Sequence, residues 1–210
     1  MSVAALKNVA LILLATGAWK ATPAPIPEGS FSEIHPGTWA NVRMIMSVID
    51  SIEERTCIRF VPRSTQTDYV HLKHHEGCYS AIGRNVGVQT LSLGDGCFFF
   101  GTVTHEMMHA IGFYHEHSRP DRDDYIDIYP ENVMPGQLLS FTKVNPSEIR
   151  LLTPFDYDSV MLYGSHAFSR EPGLTTMLAK DGRWLMNVHE KPGLSESDVT
   201  RINTLYNCTI

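Results

Sequence analysis

Positive charge is scarce in this sequence. Lys and Arg number 17 against 23 Asp and Glu in 210 residues, a net charge of -6 with His neutral. A nucleic-acid partner calls for a basic footprint, so the charge argues against that class. Long apolar runs are missing as well. The best candidate, Val9–Ala15, falls far short of the roughly 20 residues that cross a bilayer, so no membrane partner is expected. Cysteine is confined to Cys57, Cys78, Cys97 and Cys208, none in a CxxC pair, which argues against a thiolate-bound structural zinc. Internal repeats and low-complexity tracts are absent.

What remains is one domain of ordinary size, long enough to bury a core. Met1–Ala18 carries Lys7, then the apolar run, then the small residues Thr16, Gly17 and Ala18. That is the layout of a secretory signal peptide, with a buried N-terminal helix as the alternative. Residues 19–39 are rich in Pro, Gly and Ser and read as a lead-in segment, and residues 40–210 as the main domain. An even cysteine count behind such a leader implies two disulfides, with all three connectivities open. A Cys57–Cys208 bridge would tie the chain end to the first helix and, in the chain-entropy model, contribute about 5 kcal/mol. Asn207-Cys208-Thr209 matches the N-glycosylation pattern.

Val42, Ile45, Met46, Ile49 and Ile52 recur at helical spacing and predict an amphipathic helix over Ala40–Arg55. From Cys57 to Phe100 the runs Ile58–Val61, Asp68–Leu72 and Thr90–Leu93 alternate with turn residues, predicting a twisted sheet of four or five strands. Gly101–Ile111 predicts a second helix that stops near Gly112. The chain then turns polar and Pro-punctuated until Ser195–Leu205, where Ser195 and Asp198 suggest a capping box ahead of Val199, Ile202 and Leu205. The fold class is α+β, with an irregular C-terminal half and a cleft between the halves.

The stretch His105-Glu106-Met107-Met108-His109-Ala110-Ile111-Gly112-Phe113-Tyr114-His115 carries the chemistry. An α-helix turns about 100° per residue, so His105 and His109 share a face and both imidazoles reach one ion. Glu106 stands at the edge of that face, able to touch a water without ligating the metal. A third imidazole reaches the same ion only if the helix ends sharply, and Gly112 supplies the left-handed conformation for that stop. His115 follows on the returning chain. Three nitrogen ligands that leave a position open describe a catalytic zinc site, with one Zn2+ per chain.

The run from His105 through Asp123 resembles the astacin-family signature HExxHxxGFxHExxRxDRD at every fixed position. Thr56–Arg63 (TCIRFVPR), Gly77-Cys78-Tyr79-Ser80, Gly96-Cys97 and Pro154–Met161 resemble further blocks of the family, so the likeness covers about residues 40–208. It implies a metzincin-like fold of two subdomains and a secreted, monomeric endopeptidase acting on extended polypeptides. It also implies the bridges Cys57–Cys208 and Cys78–Cys97. Met161 would be the Met-turn floor under the ligands, and Tyr163 a tyrosine able to ligate zinc and to stabilise the tetrahedral intermediate. Glu116 would anchor the mature N-terminus, and the segment Cys78–Arg84 would bind substrate along a strand edge. Two departures stand out. Leu162 occupies a position where the family usually has His. The apolar leader also directly precedes Trp19 and Ile26-Pro27, which resemble the family's mature start, with no inhibitory aspartate segment between them.

Two other readings carry less. A catalytically idle binding module would have lost the base or a ligand, and all are present. His71, His74 and His75 beside Glu76 suggest a solvated polar loop before a second metal site.

Overall fold

The computed structural model describes residues 10–15 and 36–209. Helix α1 spans Pro36–Arg55, one turn earlier than the apolar spacing predicts. Pro36 stands at its first position, where a missing N–H costs nothing, and Pro36-Gly37-Thr38-Trp39 carries no apolar spacing for periodicity to detect. Ile45, Val48, Ile49 and Ile52 of α1 are buried. They form one core with Ile58, Val70, Leu72, Leu91 and Leu93 of the sheet and with Val103, Met107, Met108 and Ile111 of the second helix.

The sheet has five strands, β1 (Ala10–Ala15), β2 (Ile58–Pro62), β3 (Tyr69–Lys73), β4 (Cys78–Ser80) and β5 (Val88–Leu93), in the order β2-β1-β3-β5-β4. It is mixed: β3 and β5 run parallel, and the other pairs are antiparallel. Strand β4 is an edge strand beside the second helix.

The apolar run Ala10–Ala15 is not a helix. It is an interior strand, paired with β2 from Leu11↔Pro62 to Ala15↔Ile58 and with β3 at Ala10↔His71 and Leu11↔Val70. Among the described residues β2 has no other partner in the sheet. A mature chain lacking residues 1–18 would therefore have to refill that slot. N-terminal sequencing and intact mass of the expressed product test the leader reading, which predicts a start after Ala18. A start upstream of Ala10 would make β1 a permanent strand. Trp19, Ile26 and Pro27 lie outside the described residues.

Helix α2 spans Phe100–Ile111, and α3 spans Glu196–Leu205 behind the Ser195/Asp198 capping box. Between them the chain is largely irregular, as its composition suggests, with a two-stranded antiparallel sheet of β6 (Ile126–Ile128) and β7 (Met177–Ala179). Three-residue strands are too short to show a period of two. This half has its own core, with Ile126, Phe141, Phe155, Leu162, Met177 and Leu185 buried together. Disulfides join Cys57 to Cys208 and Cys78 to Cys97. Among the described residues no helix is long and apolar enough to cross a membrane.

Candidate metal centre

Helix α2 supplies the first part of the site. Its residues from Gly101 to Ile111 are all buried, so His105, Glu106 and His109 project from a helix held on every side. Gly112 ends the helix at φ +119°, and its N–H donates to the carbonyls of Met108 and His109. Few residues other than glycine adopt that φ, and the turn it permits returns the chain so that His115 faces the helix.

The three imidazoles converge. Nε2 of His115 lies 3.2 Å from Nε2 of His105 and 3.0 Å from Nε2 of His109. These contacts are not hydrogen bonds of the ordinary kind. Nδ1 of His105 lies 2.8 Å from the Val160 carbonyl, and Nδ1 of His109 lies 2.8 Å from the Phe113 carbonyl. A carbonyl only accepts, so each Nδ1 carries the proton and each Nε2 of those neutral rings presents a lone pair. Lone pairs turned toward one another repel unless a cation lies between them. Nitrogens about 2.0–2.1 Å from a tetrahedral zinc stand about 3.3 Å apart, close to what is seen. The donor set therefore fits zinc. Among the described residues His105, His109 and His115 are the only cluster of this kind. His74 instead pairs its Nε2 with Asp95 at 3.0 Å.

Electrostatics point the same way. Burial, then His109, pulls the His105 imidazole down to about 3, and burial pulls His117 down to about 3. Burial lowers His109 and His115 as well. All four rings are thus held neutral, the form a metal requires. The unfolded chain protonates these rings from about 6.5 downward while the native chain does not, so stability is lost as pH falls below that value. The Glu106 carboxyl acts oppositely between its ordinary 4.5 and the value near 8 to which burial pushes it. Burial raises the Glu116 carboxyl as well, yet four imidazoles outweigh two carboxyls, so the metal-free protein should show a lower urea midpoint at pH 5 than at pH 7. A midpoint that rises on acidification would contradict the burial assigned to the rings.

Glu106 is only 4 % exposed, and among the described residues its Oε2 has no hydrogen-bond partner. An unpartnered buried carboxylate oxygen is costly and needs a reason. Glu106 is one of the residues lining a cavity of about 350 Å³, together with His105, Tyr163, Phe99, Thr102 and His189. Tyr163 packs its ring 4.4 Å from that of His115 and 5.8 Å from that of His105. Burial, then Glu106, pushes its phenol upward, so it stays protonated as a donor.

The turn at 159–163 joins the two cores. Met161 belongs to the first and Leu162 to the second, both almost fully buried. The Met161 carbonyl accepts the Glu116 N–H at 2.9 Å, tying the turn to the residue after His115. Leu162 thus fills apolar space, where an imidazole would need a partner.

Glu116 is buried at 3 % exposure. Arg201 grips it with two hydrogen bonds of 2.7 Å, Arg119 donates at 3.1 Å and the Asp156 amide at 2.9 Å. These partners are all internal residues, and the expected mature N-terminus, in the stretch 16–35, lies outside the described residues. The sequence reading missed Arg201, because it approaches from α3, 85 residues away. It also missed the buried Lys191, which nothing in its local sequence marks. Asn207 is exposed at φ +51° beside Cys208.

Comparison with known proteins places this geometry. The sequence model of the astacin peptidase family matches residues 30–207. Astacin-like metalloprotease toxin 2 of Loxosceles intermedia is 45% identical over 168 residues, covering 78% of this chain and 66% of the toxin. Zinc metalloproteinase nas-7 of Caenorhabditis elegans is 43% identical over 170 residues, covering 80% of this chain and 44% of that protein. The chain thus spans between about half and two thirds of the length of these curated relatives. The solved structure of high choriolytic enzyme 1, a hatching enzyme zinc-protease from Oryzias latipes, superposes with a TM-score of 0.75 at 38% identity, covering 85% of this chain and 86% of the other. With that match over most of its length, the chain belongs to the astacin family of peptidases.

Proposed function

We propose that this chain is a secreted, monomeric zinc-dependent endopeptidase that cleaves extended polypeptides in the extracellular space. The observation that carries the reading is the convergence of three Nε2 atoms beside the unpartnered Glu106 oxygen. His105, His109 and His115 would hold one zinc ion, whose Lewis acidity acidifies water and polarises a carbonyl. Glu106 takes the proton of the attacking water as the new C–O bond forms. It returns that proton to the leaving amine as the C–N bond breaks. Tyr163, kept protonated by its burial, donates to the oxyanion.

Strand β4 supports the binding mode. It ends the sheet, and its Tyr79 is 46% exposed. An extended substrate would add to that edge across Cys78–Arg84. The two disulfides favour an oxidising compartment. The exposed Asn207 is an acceptable glycosylation site there.

The test is proteolysis itself. Purified protein should degrade casein or gelatin, lose that activity on chelation and regain it with zinc. Hydrolysis that survives full removal of metal, or no hydrolysis by the zinc-loaded protein, would overturn the proposal.

A further inference from the structure

Lys191 is an anomaly. It is 3 % exposed, and among the described residues no carboxylate stands within ion-pair distance of its ammonium. Lysine is almost never buried unpaired, because desolvating the ammonium costs several kcal/mol. Its Nζ donates instead to two main-chain carbonyls, Ser159 at 2.5 Å and Leu162 at 2.7 Å. Burial pulls the group down to about 8, against the opposing pull of Asp198 and then of Asp156, Asp158 and Glu116.

Those two carbonyls bracket the turn that holds Met161 and precedes Tyr163. The other end of Lys191 faces a different element. A Cβ at Gly101 would lie 2.7 Å from the Lys191 carbonyl and 2.1 Å from that of Val188, so this backbone presses on the first turn of α2. A Cβ at Gly193, at φ +122°, would meet the Phe100 ring at 2.7 Å. The main chain around Lys191 therefore lies flush on the metal-binding helix, while its side chain grips the turn. One residue joins the element bearing His105, Glu106 and His109 to the element bearing Tyr163.

We propose that Lys191 is a positioning residue for peptide hydrolysis, holding the 159–163 turn at a set distance from α2 so that Tyr163 meets the oxyanion that forms beside Glu106. This rests on the peptidase reading above. A zinc-loaded wild type inactive on casein would remove that reading. A lysine variant as active as wild type removes this one alone.

The experiment compares Lys191→Met, which keeps length and loses the donors, with Lys191→Arg, which keeps donors. Zinc content, thermal melting, and kcat and KM on a quenched fluorescent peptide are measured for each. Lys191→Met should hold one zinc per chain and lose kcat by about tenfold to a hundredfold, the scale of a small misplacement of a reacting group. KM should change by less than about twofold, since Lys191 is buried and does not line the cavity. Lys191→Arg should recover most of kcat. Amide hydrogen exchange at 159–163 should quicken in Lys191→Met, with or without metal. Wild-type kcat in folded Lys191→Met, or Lys191→Arg no better than Lys191→Met, overturns the assignment. If Lys191→Met does not fold, Lys191→Gln replaces it, and a kcat for Gln equal to that of wild type likewise overturns it.

Discussion

Glu106→Gln should lower kcat/KM for peptide hydrolysis by at least about 100-fold while leaving zinc content unchanged, as loss of a general base does. The substitution is nearly isosteric and removes only the ability to take a proton. Glu106 sits one position beyond His105 on α2, so it lies at the edge of the metal-facing side and none of the three ligands changes. Among the described residues its Oε2 has no partner, so no hydrogen bond to them is broken. Its burial also means that the native fold gains nothing from its charge. The rate loss is therefore expected without a loss of fold, and near-UV circular dichroism should match wild type. Cleavage of casein at the wild-type rate would show that another group takes the proton.

The second large effect is expected from His109→Ala. One of three nitrogen donors disappears, together with the Nδ1 contact to the Phe113 carbonyl at 2.8 Å. Changing only an outer partner of a metal ligand commonly costs 10–100-fold in affinity, so removing a donor should cost at least about 100-fold. Activity should fall accordingly at micromolar zinc. Stability gives an independent signal. A ligand present at a thousand times its Kd stabilises the native state by about 4 kcal/mol, roughly 10 °C in Tm for a domain of this size. Wild type should show that zinc-dependent rise and His109→Ala should not. An equal rise in both would place the metal elsewhere.

The two effects separate chemistry from assembly. Glu106→Gln keeps the metal and loses the proton transfer. His109→Ala loses the metal and with it the zinc-dependent part of the stability. The pairing discriminates between a peptidase and an inert zinc-binding fold, because only the former is sensitive to Glu106.

Much of the site was readable in the chain because its logic is local. His105, Glu106 and His109 relate through the pitch of one helix, and Gly112 marks the left-handed stop that aims His115. The stripe of α1 and the capping box of α3 were equally visible, since each is a pattern within one element. Strand β1 shows the limit. An apolar run behind a lysine carries the marks of a leader, and those marks do not say whether the run pairs with β2 and β3. The β6–β7 ladder was invisible because three residues cannot display a period.

Sequence alone determined the local geometry of the candidate site: which imidazoles share a helix face, which carboxylate stands next to them, and where the helix must break. Those relations lie within one short stretch, His105 to His115, within reach of backbone geometry. Only the tertiary structure decided what holds them in place. Lys191 reaches the 159–163 turn across 29 and 32 residues, Asp198 binds the Val160 N–H across 38, and Arg201 reaches Glu116 across 85. Such partners are chosen by packing two cores against each other around a buried turn. No local pattern encodes that choice, because a buried charge is tolerated only where the folded chain brings its partners to it.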